Sequence, residues 1–154
     1  MYFNSWDLPR IQQFVPYKFQ KLGEPNTAVK GRNVQPKPDD VVGYHAAMNP
    51  LTGEFKWKIP IKGIPNAASM LGTASGLLFT GRPTGEVLAL DEDTGEVLWQ
   101  FKTGSSINAP AITYMHKGRQ YVTVASGTGG SVIRRFIRDA VPSGSSVWTF
   151  ALMP

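Results

Sequence analysis

The sequence predicts an all-β fold of short antiparallel strands. Three observations carry that reading. Glycine (16) and proline (12) are frequent among the 154 residues and spread along the chain, cutting it into segments too short for a helical bundle. The segments between them alternate in polarity: in EFKWKI, Phe55, Trp57 and Ile59 share one face while Lys56 and Lys58 share the other. And one pattern occurs twice, as AMNPLTGEFKW from Ala47 to Trp57 and as ALDEDTGEVLW from Ala89 to Trp99.

Composition excludes several classes. Hydrophobic residues make up 42% and charged residues 18%, a globular balance rather than a disordered one. With no cysteine there is no disulfide framework, no thiolate zinc site and no cysteine nucleophile. No apolar run approaches the roughly 18–20 residues of a membrane span. The opening MYFNSWDLPR lacks a basic stretch followed by an apolar one, so no signal peptide is read. The net charge of +5 is scattered. Its one cluster, Arg134, Arg135 and Arg138, lacks the interleaved aromatics of a nucleic-acid surface.

Residues 1–42 read as an irregular loop segment with one short strand at Tyr2–Ser5. Pro9, Pro16, Pro25, Pro36 and Pro38 interrupt helices and most strands, and charges and amides dominate from Gln20 to Asp40. From Gly43 onward, strands are predicted at Gly43–Met48, Glu54–Ile59, Leu77–Thr80, Val87–Asp91 and Val97–Phe101. Four more follow at Ala111–Tyr114, Tyr121–Ser126, Val132–Phe136 and Val147–Leu152. VLAL, at residues 87–90, is apolar on both faces and suits an inner strand.

The repeat sharpens the fold class. A period of about 42 residues with several strands in each period points to a β-propeller. Each repeated residue has a mechanical reason. Gly53 and Gly95 sit where a hairpin turn needs positive φ. Asn49 and Asp91 can accept hydrogen bonds from nearby backbone N–H groups. Ala47 and Ala89 let another layer approach. Trp57 and Trp99 offer flat apolar area and an indole N–H that seeks a carbonyl, so each could lock one blade onto the next.

With these motifs the chain resembles the quinoprotein alcohol dehydrogenases of the methanol/ethanol type, whose blades carry an Ala…Thr-Gly…Trp tryptophan-docking motif. LGTASGLLFTGRPTGEVLALDEDTGEVLWQF (residues 71–101) is similar to their penultimate blade region. INAPAITYMHKGRQYVTVASGTGG (107–130) is similar to the stretch after it, and SSVWTFAL (145–152) to the ring-closing strand. YFNSWDLPRIQQFVPY (2–17) resembles a strand and loop before the last two motifs. The resemblance implies a partial propeller: the last two or so blades of an eight-bladed ring, with residues 43–154 forming blades and closing strand.

The resemblance also implies chemistry. The family holds pyrroloquinoline quinone (PQQ) over a calcium or lanthanide ion, and an Asp base assists hydride transfer from an alcohol to the quinone. The catalytic Asp and the metal ligands lie upstream of the matched region, so no catalytic or metal residue is assigned in this chain. Asn4 falls where a relative's Asn bonds the cofactor. Ala67 falls where many relatives have a cofactor-side Trp, and Gly129 and Gly130 match paired glycines near the cofactor. Ser131 stands where methanol-type relatives often carry Trp. Ala67 and Ser131 thus depart from the methanol branch and leave other alcohol-oxidising branches open. The implied partners are the N-terminal remainder of the propeller or a subunit carrying it, a small alcohol and a cytochrome c acceptor. The implied compartment is the periplasm. A different class also remains: a non-catalytic propeller-type binding or scaffold module, or an inactive fragment.

Other motifs carry less. DEDTGE (91–96) has Gly at the fifth rather than the sixth place, and Gln100 and Phe101 follow where further ligands would be wanted, so it reads as a hairpin turn rather than a calcium loop. SGTGG (126–130) lacks the Gly-Lys-Ser/Thr of a phosphate loop, and in GTASG (72–76) Ser75 is one place late for a nucleophile elbow. His45 and His116 have no carboxylate motif beside them and read as ordinary histidines.

Overall fold

The computed structural model describes residues 1–14, 29–128, 134–137 and 141–151. Twelve strands and one helical turn occur among them: β1 (Tyr2–Trp6), β2 (Arg10–Phe14), β3 (Val29–Asn33), β4 (Val41–Met48), β5 (Phe55–Lys62), β6 (Leu71–Gly72), β7 (Leu77–Gly81), β8 (Glu86–Asp91), β9 (Val97–Lys102), β10 (Ile112–His116), β11 (Arg119–Gly127), α1 (Arg134–Ile137) and β12 (Ser145–Ala151). They form antiparallel sheets in the orders β1-β4-β5, β6-β7-β8-β9 and β10-β11-β12, with β2-β3 as a separate ribbon.

The four-stranded sheet is the central layer, and its inner strands show why. On one face Leu78, Leu88 and Leu90 pack with Ala47 and Trp57 of the first sheet. On the other, Phe79, Val87 and Ala89 pack with Val122 and Val124 of the third. Adjacent residues of β7 and β8 therefore go to opposite neighbours, and a strand buried on both sides reads as a continuous apolar run. In β5, by contrast, Trp57 is buried while Lys56, Lys58 and Lys62 are exposed. Gly43 is required by close approach: a Cβ there would lie 1.9 Å from the Ser5 carbonyl oxygen.

Two sequence expectations need correction. Residues 1–42 are not an irregular loop with one short strand, because β2 and β3 pair in register from Arg10↔Asn33 to Phe14↔Val29. Every residue of β2 is exposed, so this ribbon carries no buried-face alternation to announce it. The strand expected at Val132–Phe136 is also replaced, since Arg134–Ile137 is helical. Phe136 and Ile137 are both buried, and a helical turn hides such neighbours where a strand would send one outward. Residues 129–133 and 152 lie outside the described residues.

Candidate functional site

The candidate site is built from β1, β4, β7 and the connection after β5. Asn4 and His45 face each other across the β1–β4 pair. His45 Nδ1 and Asn4 Oδ1 are 2.6 Å apart. The Asn4 amide nitrogen donates to the Ala68 carbonyl and, at 3.5 Å, to Thr80 Oγ1. With Oδ1 as the acceptor, His45 carries its proton on Nδ1 and leaves Nε2 as a bare acceptor. His45 is buried, and the loss of solvation lowers its pKa to about 4, with the Arg82 charge adding to the effect. The imidazole is therefore neutral at pH 7.

The segment after β5 is held from both sides. Trp6 Nε1 donates to the Asn66 carbonyl at 2.5 Å, and Ala68 N donates to Asn66 Oδ1 at 3.1 Å. The Asn66 amide nitrogen is buried without a partner among the described residues. Ala67 packs with Ile64 against Ile137 and Val141, which shields this connection from water.

Two recesses open here. One, of about 320 Å³, is lined by Tyr2, Phe3, Asn4 and Trp6 and by the stretch from Asn66 to Met70, with Ala67 among them. A neutral recess beside aromatic rings matches one edge of a planar quinone in polarity, although the Asn4 amide, the Trp6 indole N–H and the Tyr2 hydroxyl already have partners within the chain. No cation lines it among the described residues, so it fits a neutral edge of such a group and not its carboxylates. Gly129 and Gly130 lie outside the described residues, as does Ser131.

The repeated residues occupy a second region, between sheets. Ala47 pairs across strands with Trp57, and Ala89 with Trp99. Gly53 and Gly95 have φ of 76° and 75°. Trp57 Nε1 donates to the Glu92 carbonyl at 3.0 Å, and its ring lies on Gly95, where a Cβ would come within 2.9 Å of it. Tyr2 stacks on the same indole. Trp99 instead stands edge-on to Phe150, with ring centroids 5.1 Å apart. The sites near Asn4 and near Trp57 are thus distinct, although both use β4.

Sequence reasoning did not single out His45, Asn66, Thr80 or Arg82 as parts of one site. Asn4 and His45 are 41 residues apart, and only strand pairing brings them together. No metal-binding group of three or more His, Asp or Glu occurs among the described residues.

Comparison with known proteins agrees with this architecture. The chain is 39% identical over 119 residues to the quinoprotein alcohol dehydrogenase PedE of Pseudomonas putida, an alignment covering 74% of this chain and 19% of that protein. It is 33% identical over 157 aligned positions to PedH of the same organism, covering 97% of this chain and 25% of the relative. Among solved structures, a europium-containing methanol dehydrogenase superposes with a TM-score of 0.78 at 26% identity, covering 98% of this chain and 31% of that one. The chain thus spans 19–25% of the length of these curated relatives. Residues 27–122 match the family described as PQQ glucose/ethanol/alcohol dehydrogenase, beta-propeller domain, and the chain belongs to that family.

Proposed function

We propose that this chain forms the C-terminal wall of a PQQ-dependent alcohol dehydrogenase, with the catalytic Asp and the metal ligands supplied by the rest of the ring. The observation that carries this reading is the recess at Asn4 and Ala67, placed by a blade arrangement of the family's kind. Bound there, PQQ supplies a two-electron acceptor for a small alcohol, with a calcium or lanthanide ion as Lewis acid.

The residues of this chain hold and shield. Asn4 presents its amide edge to the recess, and His45, Ala68 and Thr80 fix the orientation of that amide. Trp6, tied to Asn66, forms an aromatic side of the recess. Ile137 and Val141 close over Ile64 and Ala67 and exclude water from behind. Gly129 and Gly130 are proposed to let the backbone approach the cofactor. Trp57, docked on the next repeat, acts as a tryptophan-docking residue that keeps the blades in register. The reading extends to a periplasmic location and a cytochrome c acceptor, both suggested by the family.

The partner required is the remainder of the ring. Val147, Met115, Ile112 and Leu98 are more than half exposed on the outer strands, an apolar surface that neighbouring protein would cover. Expressed alone, the chain is expected to self-associate, and a monodisperse monomer in light scattering would count against a missing neighbour.

Co-expression with the N-terminal portion of a relative such as PedE tests the function. The expected result is PQQ-dependent reduction of an acceptor dye by ethanol in the complex and none with either part alone. A stable complex without that activity would overturn the proposal. One observation favours a second reading, a non-catalytic scaffold: both ends of the Asn4 amide already have partners within the chain. A complex that forms but never takes up PQQ would support it.

A further inference from the structure

The second recess beside Asn66 has a different chemistry. It measures about 310 Å³ and is lined by His45, Lys62, Asn66, Arg82, Thr84 and apolar neighbours from Pro60 to Ile64. It shares only Asn66 with the recess at Asn4. No carboxylate lines it, and Arg82 and Lys62 form no ion pair among the described residues. Asn66, which lines both recesses and is 1% exposed, brings a buried amide donor without a partner among the described residues. A buried donor left unpaired calls for an acceptor. The half-buried Arg82, without an ion pair among the described residues, favours negative charge in the recess. His45 adds the complementary requirement, because its bare Nε2 accepts a hydrogen bond.

We propose that this recess binds a small carboxylate bearing a hydroxyl group. The carboxylate accepts from Arg82 and from the Asn66 amide, and the hydroxyl donates to His45 Nε2. Lys62, exposed at the rim, attracts the anion without fixing it. The cofactor reading uses the Asn4 side and, of this recess, only His45 Nδ1, which orients Asn4, and Asn66, which holds Trp6.

The indole N–H of Trp6 reports on the recess, because it donates to the Asn66 carbonyl. The chain labelled with [15N]tryptophan and reconstituted with an unlabelled N-terminal portion of a relative such as PedE gives four indole signals to follow by NMR. Titration with lactate is expected to move the Trp6 signal saturably and to leave that of Trp57 in place. Propionate, which lacks the hydroxyl, and 2-propanol, which lacks the carboxylate, should each bind at least tenfold more weakly. Arg82→Gln should weaken lactate binding at least tenfold, with an unmoved Trp57 signal showing that the blades remain docked. The proposal is overturned if lactate gives no saturable shift, if Arg82→Gln binds it equally well, or if propionate matches lactate. A response to PQQ without one to lactate would also overturn it, while leaving the cofactor reading intact.

Discussion

The two copies of the repeat share local geometry but not surroundings. In each turn the glycine N–H donates to the carbonyl four residues back, Gly53 to Asn49 at 2.8 Å and Gly95 to Asp91 at 2.9 Å. Beyond the backbone they diverge. Trp57 is 9% exposed and lies on the second turn, whereas Trp99 is 40% exposed and rests on aromatic side chains. A Cβ on Gly95 would strike Trp57 and Ile59, but one on Gly53 would meet nothing within 4 Å. His45 in the first copy stands where buried Val87 stands in the second. The motif thus specifies the turn, and the neighbouring blade supplies the burial.

Substitutions that break the docked copy should have the largest effects. Trp57→Ala opens a buried space and orphans the Glu92 carbonyl, and should cost about 3–5 kcal/mol in urea unfolding. The equivalent change at Trp99 should cost much less, so equal losses would mean that the two copies are not distinct.

The His45 contrast is read by pH. Its folded pKa of about 4 lies below the ordinary 6.5, so the unfolded chain takes up the proton first. Stability is fully present above pH 6.5 and falls as pH drops toward 4, by up to about 3 kcal/mol. In thermal melts across that window, His45→Val, which makes the first copy like the second, should remove this slope. A slope that persists in the variant would assign it to other groups.

The glycines sharpen the comparison further. Gly95→Ala combines an unfavourable positive φ with a collision against the docked indole, and about 2–3 kcal/mol is expected. Next comes Trp99→Ala, at about 1–2 kcal/mol from partial burial and stacking on Phe150. Gly53→Ala, with the same φ and open space, should cost only about 1 kcal/mol. A denaturation series on these three variants tests the order, and a Gly53 effect equal to that of Gly95 would contradict it.

Much of the blade pattern was legible because its cause is local. Period-two alternation marked β5, the apolar run marked β8, and Thr-Gly-Glu marked both hairpins. The β2–β3 ribbon was not legible, since β2 is exposed throughout and has no buried face. Helical turn α1 was mistaken for a strand because a short apolar stretch has no decisive period, and packing onto Ile64 and Ala67 settles its form. Family resemblance pointed to Asn4 and Ala67, which line one recess, and their place beside a cofactor is a proposal. His45, Asn66 and Arg82 come together by strand pairing and by the fold of the connection after β5, for which spacing in the sequence gives no signal.

The most direct test of the account is PQQ binding by the chain assembled with the N-terminal portion of a relative. Absorbance titration should show saturable binding to the complex, weakened at least tenfold by Asn4→Leu, with light scattering confirming that the variant still assembles. An assembled complex that binds no PQQ, or binds it equally well without Asn4, would contradict the assignment of this chain as a cofactor-facing wall.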